Sequence, residues 1–210
     1  MSTSGSSARS ERKRSQILAA ARSVFAREGF AHAGMEEVAR LAGVSTATLY
    51  AHFPGKSDLF ETVVEDIVGD LAGRVADNAA TAGDARERLT IYGQAYARFY
   101  LDPTSRAVFR MVIAERRRFP ALAERFRDRG RVELGGSLLA LIDELVEAGE
   151  IVVPKPSWAA GQLQGMIEHA TLILGLVGGD EAIPARSADA IVAEAVETFL
   201  ARYGVREKAA

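Results

Sequence analysis

MEEVARLAGVSTATLYAHFPGKSD, residues Met35 to Asp58, decides how the rest of the chain reads. Val38, Ala39, Leu41 and Ala42 give its first part an apolar side at i, i+1, i+3 and i+4, a helical recurrence. Ala39 is small enough to let another helix cross closely. Gly43 stands where that helix must stop, in a position suited to the left-handed conformation that glycine adopts without steric cost. Val44 is placed to plug the angle between two helices, and Ser45 to cap the second with its hydroxyl. Leu49 and Phe53, four apart, anchor that second helix, leaving Thr46, Ala47, Thr48, Tyr50 and Ala51 on its outer faces. Pro54-Gly55 ends it, and Lys56 opens a third. Helix, tight turn and helix at this spacing form a helix-turn-helix, the arrangement that lays its second helix in the major groove of DNA.

An ordinary α-hairpin shares so short a pattern, and the context separates the two. Upstream, Ile17, Leu18, Ala21, Val24 and Phe25 form an apolar stripe on a basic helix that ends at Gly29-Phe30. A three-helix module therefore precedes a longer helix that starts near Lys56 and continues through Leu59, Val63, Ile67 and Leu71.

These residues carry a family resemblance. On Ile17-Leu18-Ala19-Ala20-Ala21, Phe25, Gly29-Phe30, Val38-Ala39, Ala42-Gly43-Val44-Ser45, Thr48-Leu49-Tyr50, His52-Phe53 and Lys56-Ser57-Asp58-Leu59-Phe60, the chain resembles the TetR family of transcriptional regulators. A second stretch, VIAERRRFPALAERF from Val112 to Phe126, is similar to one branch of that family's regulatory domains. Two positions depart from the family pattern. Gly34 stands where the family usually has a capping Thr or Ser, and Ala51 where it often has a long polar or aromatic side chain. The first bears on one of the family's phosphate contacts and the second on one of its groove contacts.

Composition agrees with a DNA reader joined to a larger body. The 210 residues, 48% of them hydrophobic, suffice for one domain or two small ones. Net charge is −2, yet residues 1–60 hold eight Lys or Arg against five Asp or Glu, and the remainder eighteen against twenty-three. A basic end on an acidic body suits a protein that docks DNA by one end. Absence of cysteine excludes disulfides and thiolate metal sites and fits a cytoplasmic protein. No run is long and apolar enough to span a membrane, and the Ser-rich basic start lacks the apolar region of a secretory signal. The expected organisation is a disordered basic arm over 1–10, a helix-turn-helix domain over 11–56, an effector-binding and dimerisation domain over 57–205, and a flexible tail over 206–210.

The body reads as helices throughout. Asp84 can cap a helix to Leu101; Asp102-Pro103 interrupts it; another runs to Arg118 and is broken by Phe119-Pro120. A helix from Ala121 to Ala148, bent near Gly130 or Gly135-Gly136, follows. Ser157 can cap a helix to Val177, and Ser187 the last helix, to Tyr203. With no strand-like alternation of any length, the class is all-α, a three-helix head plus a helical bundle with about nine helices in total.

Two helices suggest more than core. From Trp158 to Val177 the periodicity gives two low-polarity faces, one carrying Gly161, Gly165, Leu172 and Gly175 opposite the other. The last helix adds Ile191, Ala195 and Phe199, and the family resemblance implies that the last two long helices pair with their copies in a homodimer. The second case is the stretch from Ser105 to Arg118, whose apolar arc includes Met111 but also the charged Glu115 and Arg116. Together with Tyr92, Tyr96, Phe99, Met166 and His169 they are candidates for a small-molecule effector pocket; a structural ion pair and an aromatic core account for the same residues.

The expected function is therefore a homodimeric regulator of transcription, a repressor released from a palindromic operator in double-stranded DNA by an unknown small-molecule effector. Candidate DNA contacts are Arg14, Gly34, Met35, Ser45, Thr46, Thr48, Tyr50, His52 and Lys56. A regulator without an effector, controlled by a protein partner or by abundance, is the alternative. No metal-ligand cluster, nucleophile elbow or phosphate loop is visible, so neither an enzyme nor a cofactor is expected.

Overall fold

In the computed structural model, residues 4–79 and 83–205 are described, and among them helices dominate. They divide into two compact units. The first holds residues up to 67 together with 107–124, and the second holds 68–106 and 125 onward.

The first unit contains α1 (Ser4–His32), α2 (Met35–Ala42), α3 (Thr46–His52) and the start of α4 (Lys56–Ala79). To these it adds most of α6 (Pro103–Glu115) and the first residues of α7 (Pro120–Gly130). Residues 4–10, read from composition as a disordered arm, are the first turns of α1. No proline separates them from the stripe that begins at Ile17, so the helix extends backward; residues 1–3 and 206–210 lie outside the described residues. A break with left-handed φ (72°) occurs at Gly29, as the sequence expects of the end of this helix. Ile17, Leu18, Ala21, Val24 and Phe25 are buried, as are Val38, Ala39, Leu49, Phe53, Leu59 and Phe60.

Leu41 is a correction, for it is 47% exposed. The buried stripe of α2 is Met35, Val38 and Ala39. At 100° per residue, Leu41 falls roughly 110° from the middle of an i, i+3, i+4, i+7 stripe that begins at Met35. Gly43 does adopt the left-handed conformation, φ 66° and ψ 32°, and Val44 N–H donates to the Ala39 carbonyl at 3.0 Å.

The second unit is built on α5 (Ala85–Leu101), α8 (Gly136–Glu147), α9 (Pro156–Glu168), α10 (Leu174–Gly178) and α11 (Ala188–Tyr203). Asp84 caps α5 by accepting from Glu87 N–H, and Ser187 caps α11 by accepting from Ala190 N–H. Ser157 does not cap α9; Pro156 occupies its first turn, where a missing N–H costs nothing. Between α7 and α8 the chain makes a π-helical turn over Arg131–Gly135, beside the glycines at which the sequence suggests a bend. A second π turn, His169–Ile173, joins α9 to α10. An isolated antiparallel bridge between Ile151 and Gly204 ties the α8–α9 connection to the end of α11, with Val152 N–H donating to the Tyr203 carbonyl at 2.8 Å.

The core of this unit is Leu89, Tyr92, Tyr96, Leu138, Ile142, Leu145, Leu163, Ile167, Val192, Val196 and Phe199. Gly93 lets α5 approach α11. A Cβ there would lie 2.7 Å from Val192 Cγ1 and 3.3 Å from Ile167 Cδ1. Gly93→Ala is expected to destabilise the unit by about 1–3 kcal/mol through overpacking. A lower urea midpoint would register this, and an unchanged midpoint would mean that α11 can retreat without loss.

Candidate DNA interface

The geometry of the head follows from how its second helix begins. Ser45 is extended and its hydroxyl accepts from Thr48 N–H at 3.1 Å, while the two side-chain oxygens lie 2.9 Å apart. Two of the hydroxyls that the sequence offers for groove contact are thus engaged with each other. Thr46, Ala47 and Ala51 are exposed, and Tyr50 projects with 46% of its surface open. His52 is half-buried against Phe53, ring centroids 6.4 Å apart.

Arg14 on α1 is exposed and its guanidinium carbon lies 5.5 Å from the Phe53 ring, which brings it beside the end of α3. Gly34 is extended and makes no side-chain cap at the start of α2, in keeping with its missing hydroxyl. Met35 is buried, so its side chain belongs to the core of the head. Lys56 is also tied inward. Its ammonium donates to the Ala31 carbonyl at 3.0 Å and the Ala33 carbonyl at 2.8 Å, and sits 5.0 Å from the Phe30 ring. Sequence reading missed the exposed pair beside these residues, Arg40 with Glu37 at 2.8 Å. Hydrogen bonding from Arg40, reinforced by Arg27, holds the Glu37 carboxyl below its ordinary range.

The residues suggested for an effector are divided between the two units. Met111, Glu115 and Arg116 belong to the first unit, and Tyr92, Tyr96, Phe99, Met166 and His169 to the second. Arg116 is exposed in the turn after α6, and His169 is exposed on the π turn. Tyr92, Tyr96 and Phe99 are buried. Gln164 donates to the Tyr92 hydroxyl at 2.9 Å, Tyr96 donates to Glu168, and Tyr96 and Tyr100 pack edge to face at 4.8 Å. Burial pushes the Tyr92, Tyr96 and Tyr100 hydroxyls well above the usual tyrosine value, and the Glu168 charge adds to it.

The expected interface residues divide as well. Gly161 and Gly165 are exposed with open space beside them. Leu172, Gly175, Ile191, Ala195 and Phe199 are buried within their own unit. Gly175 is needed internally: a Cβ there would meet Arg106 Cδ and Ile183 Cδ1, each at 2.9 Å. The π turn accounts for the change of face. It widens the helix so that the outward positions run Gly161, Gly165, His169, Ile173 and Val177, and the straight-helix extrapolation to Leu172 and Gly175 falls inside. Trp158 and Val177 are 67% and 86% exposed on this helical run. Two clefts of about 570 and 480 Å³ open here, the first lined by Lys155, Trp158 and Arg202, the second by Gly161, Gly165, Met166 and Phe199.

Among the described residues no helix is long and apolar enough to cross a membrane, and no His, Cys, Asp and Glu cluster could hold a metal ion.

Comparison with known proteins gives two family matches. Residues 17–63 match the description "Bacterial regulatory proteins, tetR family", and residues 87–205 match "AefR-like transcriptional repressor, C-terminal domain". Relatives include the HTH-type transcriptional activator FasR of Mycolicibacterium smegmatis, 38% identical over 42% of this chain and 41% of that protein. Another is the HTH-type transcriptional repressor KstR2 of Rhodococcus jostii, 30% identical over 41% of each. Each of these matches therefore spans about two fifths of the relative's own length. A solved TetR-family regulator from Mesorhizobium loti is 27% identical, with a TM-score of 0.79 over 94% of this chain and 99% of that one. The fatty acid degradation regulator FadR from Bacillus halodurans shares the fold at 20% identity, with a TM-score of 0.71 over 90% of this chain and 94% of that one.

Two measurements probe these sites. Ser45→Ala should cost about 0.5–2 kcal/mol of stability by leaving an N–H at the start of α3 open; no shift in the denaturation midpoint would mean that water replaces the cap. The tyrosine hydroxyls hold their protons more tightly folded than unfolded. Their stabilisation is therefore complete below the unfolded value near pH 10 and is lost as pH rises above it. Urea midpoints should fall above about pH 10. A flat profile would show that the hydroxyls are open to solvent.

Proposed function

This chain belongs to the TetR family of bacterial transcriptional regulators, and on that footing we propose that it is a homodimeric repressor released from a palindromic operator by a small molecule. Such regulators bind DNA through the head, and the observation that carries the reading here is the built helix-turn-helix with its capped, outward-facing α3. Thr46 and Tyr50 face the groove, Tyr50 holding a phosphate through its hydroxyl; Arg14 and the open N–H groups after Gly34 hold further phosphates. His52, Ser45 and Thr48 support α3 from the edge of the contact. Repression as the sign of control is supported by the description matched over 87–205.

The partner in the dimer is a second copy, received on the outward run of α9 and α10: Trp158, Gly161, Gly165, Ile173 and Val177, beside the exposed Thr198 and Ala201 of α11. Glycines permit close approach of helix backbones, and the exposed apolar surface gives the association its driving force. Met166 and His169 fall on this face and serve the interface. The effector is assigned to the tyrosine ladder of the second unit, with Tyr92, Tyr96 and Phe99 as its apolar wall and Gln164 and Glu168 as its polar groups. An effector that takes over their hydrogen bonds changes the packing of α5 on α9. The helices α4, α6 and α7 each have residues in both units and are the routes by which such a change reaches the head. Coupling of roughly 1–3 kcal/mol alters operator affinity about 5–150-fold.

Selection of bound fragments from the source genome should return one palindrome with half-sites about 34–36 Å apart or a multiple of that. Gly165→Glu should sediment as a monomer and lose the palindrome while retaining sequence-blind binding. A dimeric Gly165→Glu would remove this face from the interface, and sequence-blind binding by the unaltered protein would replace the repressor reading with an architectural one.

A further inference from the structure

The turn between α6 and α7 carries Arg116, Arg117 and Arg118 in succession, all exposed. They belong to the same compact unit as the head. Elsewhere in that unit, arginines meet acids: Arg22 pairs with Asp66 at 2.7 Å, Arg27 with Glu28 at 2.6 Å, and Arg40 with Glu37 at 2.8 Å. Among the described residues no carboxylate pairs with any of the triplet. Arg116 donates to the Ile113 carbonyl at 3.0 Å, and Arg118 lies 4.9 Å from the Phe30 ring and 5.6 Å from that of Phe119. Residues 106–131 hold nine arginines against three acids, within a body that is otherwise strongly acidic.

The backbone that presents these arginines is fixed. Arg118 N–H and Phe119 N–H both donate to the Glu115 carbonyl at 2.9 Å. Phe119 packs against Phe30 at 5.0 Å and Phe60 at 5.6 Å. Lys56 touches the same Phe30 ring as Arg118, so the two charges lie within about 10 Å of each other, comparable to the Debye length at 0.1 M salt. Lys56 opens α4, directly after the helix that reads the groove.

We propose that Arg116 and Arg117 form a second phosphate-binding surface, gripping duplex DNA beside the groove occupied by α3. The proposal rests on the DNA-binding reading above and extends its footprint to a turn outside the helix-turn-helix. Guanidinium groups suit the task, since their planar fork of donors matches a phosphate and they remain charged at any working pH. Arg118, held on Phe30, is a positioning residue that orients the turn. Contacts of this kind set register and affinity and carry no base information, so they act on operator and flanking DNA alike.

The test uses the full chain and a random-sequence duplex of about 30 base pairs, titrated between about 50 and 200 mM salt. Arg116→Gln/Arg117→Gln should flatten the slope of log K against log salt by nearly 2, at about 0.9 per lost phosphate, and weaken binding roughly tenfold or more at the low-salt end. Arg116→Lys/Arg117→Lys should restore most of the slope. As a control, Arg98→Gln/Arg186→Gln removes the same charge from the second unit, where these residues pair with Asp189 and Glu194, and should leave the slope unchanged. A slope in Arg116→Gln/Arg117→Gln equal to that of the unaltered protein overturns the proposal and makes the triplet a solvated turn. An equal loss in the control pair also overturns it, assigning the effect to overall charge. Absence of salt-dependent binding by the unaltered protein is a different result, because it defeats the DNA-binding reading itself.

Discussion

Phe30 is the residue on which the first unit turns. It follows directly on the break at Gly29, and its ring packs on those of Phe25, Phe60 and Phe119. Those rings come from α1, α4 and the turn after α6. Each such pair contributes about 0.5–1.5 kcal/mol beyond its buried area, and Lys56 and Arg118 add cation–π contacts of about 0.5–1 kcal/mol apiece where exposed. The cluster fixes the end of α1, the start of α4 and the α6–α7 turn against one another. Since α2 and α3 are suspended between the end of α1 and the start of α4, the direction of α3 depends on it. Lys56 reinforces the arrangement electrostatically, because the last carbonyls of a helix carry partial negative charge and lack internal partners.

The second unit depends on a different constraint, the helical register across the π turn at 169–173. A straight helix starting at Pro156 would rotate its glycine face away from Ile173 and Val177. The wider turn keeps positions four apart on one side and turns Leu172 and Gly175 inward. Gly175 then meets Arg106, a buried arginine that donates to Asp180 at 3.0 Å and to the Tyr100 carbonyl at 2.8 Å. An outward apolar run and an internal arginine anchor thus arise from one extra residue in the turn.

What was legible in the sequence follows from how local the cause was. The cap at Ser45, the left-handed Gly43, the break at Gly29 and the caps at Asp84 and Ser187 each rest on one residue's preference, and each stands where the sequence puts it. Leu41 was misread because an eight-residue helix has only two turns in which to define a face. The fate of Leu172 and Gly175 was hidden because no residue type announces a π turn. Lys56 stands at the start of α4, where the sequence puts it, but its carbonyl partners lie 23 and 25 residues earlier, beyond the reach of a local pattern. The place of Phe119 beside Phe30 is likewise set by long-range packing, and with it the placement of the arginines that precede it.

The chemistry of α3 itself argues for two heads. Thr46 to His52 contains no Arg, Lys, Asn or Gln, the side chains that make bidentate contacts with base edges. Each bidentate contact discriminates by about 1–3 kcal/mol, whereas specific binding exceeds nonspecific binding by about 4–10 kcal/mol. With Ser45 and Thr48 bonded to each other, one head offers the Thr46 hydroxyl, the Tyr50 ring and hydroxyl, and the methyl surfaces of Ala47 and Ala51. Such a surface suits thymine methyls and groove shape better than hydrogen-bond patterns, so its contribution per proposed half-site would be small. In the proposed dimer a second copy would double it and impose a fixed spacing, supplying discrimination that the α3 side chains lack. In that dimer the outward glycines of α9 would matter as much to sequence recognition as the residues proposed to face the bases.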